Sequence, residues 1–249
     1  MNLYNLSKNK GIRKKIDKEI NCEYINNKCI QSCTCYVDNK DPDNILRIFY
    51  NYDLYKWEIE VYLKLLDSKI IPLITSYKYE ISYVLKGFVS LRTFFNKKEN
   101  KNNEKITLIL NELYSFINTF KKYNFVHGNL HIDNIYIKKI ENNCKITYEF
   151  KVIDYVNSYI SNIKRKETYT RTSFLGEYLI KEDDNFLKYW DFFTVYISLK
   201  TFFKNKVSCL YQLQKTVEEY IPNNTFNIML KETILSKQIF IPFQCKFFD

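Results

Sequence analysis

Apolar positions change their period several times along this chain, and each change marks an element. Residues Cys29-Ile30-Gln31-Ser32-Cys33-Thr34-Cys35-Tyr36-Val37 are built of short alternating stretches, the two-residue period of strands. Asp41-Pro42-Asp43-Asn44 is a turn signal, and Ile45–Tyr50 follows as a compact strand. Between 54 and 66 the apolar residues Leu54, Trp57, Val61, Tyr62 and Leu65 recur at helical spacing. Ile70–Ile74 and Ile81–Leu85 again read as strands. A polar, Asn/Lys-rich break at Asn96–Asn103 precedes a helix whose Ile106, Ile109, Leu110, Leu113, Ile117 and Phe120 share one face. The order is strands, one helix, strands, a short connector, then mostly helix. That order predicts an α+β chain in two unequal lobes.

Composition narrows the class. With 46% apolar and 17% aromatic residues, the 249-residue chain can bury a substantial core. No apolar run approaches the roughly 18 residues of a membrane span, so no membrane association is expected. Met1–Lys15 is polar and basic without an apolar stretch, so no secretory leader is expected either. Four of the seven cysteines cluster as Cys22, Cys29, Cys33 and Cys35, but the two histidines stand together far away at 127 and 131. Free thiols in a reducing, intracellular compartment fit this better than a zinc site.

The net charge of +10 is less informative than it looks. It comes from 33 Lys and only 5 Arg, beside 27 Asn and no Ala. This bias follows A/T-rich codons, so the basicity reflects genome composition as much as a polyanionic partner. Arginine is scarce and the Lys–aromatic interleaving forms no recognisable motif, so a nucleic-acid partner is possible but not favoured.

The chemistry concentrates after the helix ending near Tyr123. The segment Phe125-Val126-His127-Gly128-Asn129-Leu130-His131-Ile132-Asp133-Asn134-Ile135-Tyr136-Ile137 resembles the catalytic loop of the protein-kinase-like superfamily. That loop reads H-R-D-L-x-x-x-N, or H-G-D-L-H-x-x-N-I in smaller divergent branches. His127, Leu130 and Asn134 occupy matching positions, and the resemblance puts His127, with Asn129, in the catalytic set. The strand Phe150–Ile153 ends in Asp154, where the family places its metal-binding Asp, and Asp191 falls where an Asp at the start of a large helix ties down the loop backbone. Upstream, Arg47 looks like the replacement of the nucleotide-binding Lys, Glu58 like its partner, and Leu85 and Gly87 like the strand-to-hinge passage that holds the nucleotide.

The resemblance implies a two-lobed fold with a small β-rich N-lobe over 1–86, a hinge and connector over 87–103, and a mainly helical, shortened C-lobe over 104–249 carrying the loop at 125–137. It implies ATP and Mg²⁺ as possible cofactors, the metal held by Asn134 and Asp154. Those two residues are expected to converge on one cleft, facing Arg47 or Lys28. Small divergent kinases and pseudokinases of large DNA viruses have this appearance, which would put the protein in a host cytoplasm. An AT-rich protist or bacterium would suit the composition equally.

Four departures matter. Asn129 stands at the position of the catalytic Asp, and an amide oxygen accepts hydrogen bonds but takes no proton near neutral pH. Losing general-base help costs about 10²–10⁴-fold. Asp133, four residues on, is a poor substitute because its equivalent faces away. No glycine-rich loop exists, since the only glycines are Gly11, Gly87, Gly128 and Gly176. Arg47 keeps the charge of Lys but not its compactness, with Lys28 as an alternative partner. Tyr155 and Val156 follow Asp154 in place of Phe-Gly, which stiffens that segment.

Gly128 removes the Arg that commonly receives a loop phosphate, so phosphorylation within the basic, hydroxyl-rich run Lys164–Ser173 could not act by that route. That run either docks an acidic partner or is a solvated surface. Residues 192–249 are all that follow Asp191, which leaves little room for peptide-docking helices. The leading expectation is a pseudokinase acting through protein contacts. An active atypical kinase and a basic nucleic-acid binder are the alternatives.

Overall fold

The computed structural model describes residues 13–15, 22–25, 28–31, 33–38, 43–100, 102–142, 145–160, 184–203, 211, 214–215 and 217–228, with backbone alone for those before 43, for 145 and for 184–188. The 164–173 run, Gly11, Gly176 and the side chains of Lys28, Cys22, Cys29, Cys33 and Cys35 lie outside that description. The described residues fall into two compact units that divide between Phe88 and Val89.

The first unit is a five-stranded antiparallel sheet with one helix. Its strands are β1 (Arg13–Lys15), β4 (Cys33–Asp38), β5 (Asn44–Phe49), β6 (Leu73–Tyr77) and β7 (Glu80–Val84), in the order β1-β4-β5-β7-β6. A separate hairpin joins β2 (Cys22–Ile25) to β3 (Lys28–Gln31). The strand expected over Ile70–Ile74 begins instead at Leu73. Pro72 has no N–H for a ladder, and the buried Ile70 and Ile71 anchor the approach to the sheet.

Helix α1 spans Tyr52–Leu65 and starts where Asn51 Oδ1 accepts the N–H groups of Asp53 and Leu54. Such a cap satisfies donors that the first turn leaves without helical partners. The helix buries Leu54, Trp57, Glu58, Val61, Tyr62 and Leu65, a face repeating at three and four residues.

The β6–β7 hairpin carries no sequence signal for a turn. Its two loop residues, Lys78 and Tyr79, both have positive φ, of 42° and 65°. Two-residue hairpins need that geometry, and Asn-Gly is what usually supplies it. Here Phe49 N–H donates to Tyr79 C=O at 2.8 Å and pins the turn to the end of β5.

The second unit contains the longer helices. It holds α2 (Leu91–Asn96), α3 (Asn103–Asn118) and α4 (Asp184–Phe202), with a three-stranded sheet of β8 (Val89–Ser90), β10 (Ile135–Asn142) and β11 (Lys145–Val152). The short strands β9 (Phe125–Val126) and β12 (Tyr159–Ile160) pair with each other. The β10–β11 hairpin is longer than the apolar segments Ile135–Ile137 and Phe150–Ile153 suggest. Its distal half is held by its backbone ladder and by Tyr148, which is buried against Phe94 and whose N–H donates to Glu112 Oε2 at 2.8 Å.

Asn102 caps α3, and Asn124 closes the following 3-10 turn in the left-handed conformation that turns the chain into β9. Tyr114, Phe192 and Tyr220 stack with centroids 5.1–5.7 Å apart and bind α3, α4 and the 217–228 segment into one core. Among the described residues no helix is long and apolar enough to cross a membrane.

Candidate functional site

In the second unit the segment after β9 is fastened from several sides. Asp191 Oδ2 accepts the His127 N–H at 2.7 Å and Oδ1 accepts the Gly128 N–H at 3.0 Å. The neighbouring Trp190 donates its indole N–H to Gly128 C=O at 2.9 Å. One helical face of α4 supplies a further contact, because Ser198 lies seven residues beyond Asp191 and its Oγ accepts the Ile132 N–H at 3.1 Å. The helix begins at Asp184, so Asp191 sits two turns inside it and not at its start.

Asp191 is buried, and removal from water pushes its carboxyl up to about 7 against the pull of the two N–H donors. Gly128 has φ 80°, which leaves the loop free to expose both N–H groups to one carboxyl.

His127 braces the loop. Its Nε2 lies 2.8 Å from Ile153 C=O, which can only accept, so that nitrogen carries the proton. Nδ1 then accepts the Asn129 N–H at 3.4 Å. Both ring nitrogens are engaged and the side chain is fully buried, so the residue read as catalytic is an internal strut. Asn134 is the other strut. Its amide donates to Asn129 C=O at 3.1 Å, and its own C=O accepts the Ile153 N–H at 3.1 Å.

These bonds bring Asn134 and the end of β11 together, next to Asp154. Asp154 is buried and has φ 70°, a left-handed conformation that a non-glycine residue adopts at some cost. Beyond it, Tyr155 is buried against His127 and Phe125, and its hydroxyl donates to Val152 C=O. Ser158 caps the same turn through Tyr155 C=O at 2.6 Å. A Tyr in place of Phe thus closes the turn with a bond that Phe lacks. The donor set of Asn134 and Asp154, two oxygen-bearing side chains on adjoining backbone, suits a hard cation such as Mg²⁺.

Two residues that pattern reading did not single out complete the loop. Arg92, in α2, donates to both Asp133 oxygens at 2.6 and 2.8 Å, and its N–H donates to Ile132 C=O at 3.1 Å. Burial alone would raise the Asp133 carboxyl, but hydrogen bonds from His131 and Arg92 overcome it and hold the group at about 2. Arg92 is 41 residues from Asp133, so only the fold reveals the pair. The sequence signal for Ser198 was present in its seven-residue spacing from Asp191.

In the first unit Arg47 and Glu58 form a buried ion pair. Arg47 Nη1 lies 2.9 and 3.2 Å from the two Glu58 oxygens, and its guanidinium sits 5.0 Å from the Phe49 ring centroid. The short β5–α1 connection brings the two together. Leu85 N–H donates to Asp43 C=O and its C=O accepts the Phe88 N–H, both at 2.8 Å. Gly87, at φ 75°, makes that tight turn possible. The main-chain groups of Leu85 are therefore already engaged within the first unit.

No protein-family model and no curated protein sequence matches the chain. Solved structures do. WaaP in complex with acyl carrier protein overlaps 85% of this chain and 87% of its own, with a TM-score of 0.50 at 11% identity. The Rio2 kinase–ADP/Mg²⁺–phosphoaspartate complex from Chaetomium thermophilum overlaps 75% of this chain and 68% of its own, with a TM-score of 0.39 at 14% identity. With the loop anchored on Asp191 and a strand-rich unit ahead of a unit built on longer helices, this chain has an α+β, two-lobed protein-kinase-like fold.

Proposed function

We propose that the chain is a degenerate kinase-like protein, a pseudokinase, that acts through protein contacts and binds Mg-nucleotide weakly at most. One observation carries the reading. The loop that would bear catalysis is fully braced, by Asp191, Trp190, Ser198 and Arg92, yet it offers no available base. Asn129 stands at the base position, and the loop's one carboxylate, Asp133, is held at about 2 by hydrogen bonds from His131 and Arg92. A base so acidic and so paired has little tendency to take a proton. The scaffold is kept while the proton chemistry is gone.

Within the second unit, Asn134 and Asp154 are the residues to hold Mg²⁺ if nucleotide binds; within the first, Arg47, paired with Glu58, is the candidate cation for phosphate. ATP would supply the transferable phosphoryl group. The second reading, an active atypical kinase acting on a protein hydroxyl, is favoured by the retained Arg47–Glu58 pair and by Asp154 in its left-handed conformation. Phosphoryl transfer depends mainly on positioning and charge neutralisation, so it tolerates a missing base better than most reactions. Nothing in the site favours the nucleic-acid reading. A host-cytoplasmic, viral setting belongs to this proposal and not to the fold.

Thermal unfolding with and without ATP and Mg²⁺ tests the reading, because a ligand of the folded state must raise the midpoint. A midpoint unmoved at millimolar ATP, or raised slightly without turnover, is expected. Turnover at roughly 1–100 s⁻¹, the ordinary kinase range, would overturn it.

A further inference from the structure

Tyr155 closes the chain on itself around Asp154, and the register of β11 gives its hydroxyl an acceptor. Tyr148 donates its N–H to Glu112 Oε2, away from β10. Backbone groups alternate sides along a strand, and the β10–β11 ladder is uninterrupted, so Val152 is oriented like Tyr148. Ile153, next in line, turns inward and donates its N–H to Asn134 C=O at 3.1 Å. The Val152 C=O thus faces out of the ladder, and the Tyr155 hydroxyl donates to it. The ring is fully buried, edge to face with Phe125 and His127 at centroid distances of 6.3 and 5.9 Å.

Asp154 is thereby bracketed. Before it, the Ile153 C=O accepts from His127 Nε2 at 2.8 Å. After it, the Tyr155 C=O accepts the Ser158 N–H at 3.0 Å and the Ser158 hydroxyl at 2.6 Å. With both neighbours held, the strained φ of 70° at Asp154 has no room to relax. Such strain persists only where the surroundings over-determine it, and it clusters at functional sites. A residue's φ also fixes the direction in which its side chain leaves the backbone. Holding that angle therefore holds the Asp154 carboxylate, in a region where Asn134 and Asp154 keep only 1% and 2% of their surface exposed.

We propose that Tyr155 is a positioning residue for the Asn134–Asp154 cation site, its hydroxyl keeping Asp154 in the conformation that presents its carboxylate to a divalent metal. Phenylalanine would fill the same space in the core. It would leave the Val152 C=O without that donor and let Asp154 turn to an ordinary negative φ. Groups that orient a metal ligand without touching the metal commonly decide affinity. Here the ordering is completed on folding, so little is left to be done when the ion arrives. The inference rests on the Mg²⁺ reading of Asn134 and Asp154 above, and it requires no turnover.

The test titrates Mn²⁺ into the full chain without nucleotide and follows the free ion by its electron paramagnetic resonance signal. Saturable binding by the parent, abolished by Asp154→Asn, is expected. Tyr155→Phe should weaken it about tenfold or more, as loss of a ligand-orienting contact does in metal sites. A role confined to stability would instead lower the thermal midpoint and leave the Mn²⁺ affinity of the folded protein unchanged. Should Tyr155→Phe fail to fold, Ser158→Ala takes its place, because it removes one donor from Tyr155 and alters neither metal-binding side chain. Weaker Mn²⁺ binding by that variant is then the expected result. Binding that Asp154→Asn abolishes, but that stays at the parent's affinity in Tyr155→Phe or in its substitute, overturns this inference alone. No saturable binding by the parent, or binding that Asp154→Asn leaves intact, overturns the cation reading and the inference with it.

Discussion

Arg47 Nη1 bridges both carboxylate oxygens of Glu58, at 2.9 and 3.2 Å, and each side chain keeps 1% of its surface exposed. Two opposite charges have been taken out of water together, so the cost of separating them is large whatever the pair does for ligand. Glu58→Gln leaves the guanidinium buried beside a neutral partner and should destabilise the chain by about 3–5 kcal/mol. Arg47→Met combined with Glu58→Leu removes both charges and should recover most of that loss. Urea denaturation of the single and double variants measures the difference. Equal losses in both would refute the assignment of a buried, coupled pair.

Asp191 sets a pH dependence of unusual sign for a carboxylate. Its folded pKa, about 7, exceeds the ordinary 3.8, because burial outweighs the donors from His127 and Gly128. The folded state therefore holds a proton that the unfolded state releases. Its contribution is complete below about pH 4 and is lost as pH rises through 7, at a slope of up to about 1.4 kcal/mol per pH unit. Asp191→Asn should abolish that slope. It should also lower stability by about 1–3 kcal/mol, since an amide cannot accept from both N–H groups. Chemical denaturation between pH 4 and 8 gives both results.

Asp133 behaves in the opposite way. Held at about 2, it contributes stability above pH 4 that is lost as pH falls from 4 to 2. Arg92→Ala should raise the Asp133 titration toward the ordinary carboxylate range and cost about 1–2 kcal/mol at neutral pH. A carbon-13 NMR titration of the carboxyl follows it directly. An unchanged midpoint would show that His131 alone holds the group.

The β6–β7 turn carries removable strain. Lys78→Asn puts a residue tolerant of positive φ where lysine is forced into it, and should stabilise the chain by a few tenths to about 1 kcal/mol. The exposed site makes other effects small, so the thermal midpoint is an adequate readout. A fall in midpoint would mean that Lys78 contributes a contact outweighing its backbone cost.

Asn129→Asp restores a carboxylate at the base position. If only the base is missing, phosphotransfer should rise by about tenfold or more. The expectation here is no change, because the glycine-rich loop and the lysine are absent as well. A radiolabelled-phosphate assay on parent and variant distinguishes the two.

Local hydrophobic pattern was enough to define the period-coded parts of this protein. Alternation and helical spacing placed β4, β5, α1, β7 and α3. The run from His127 to Asn134 and the following Asp154 were legible because these residues are close together or follow a strand end, whereas Asp191 lies two turns inside α4. What the tertiary structure decided is what those residues touch. Arg92 and Asp133 are far apart in sequence, and no local pattern foretells a bond between them. Likewise His127 read as catalytic, and only the carbonyl of Ile153 shows it to be a strut. The Lys78–Tyr79 turn escaped reading because its backbone is held by Phe49 from another strand and not by its own residues. Local chemistry writes elements into a chain, whereas long-range hydrogen bonds and burial exist only once distant segments meet.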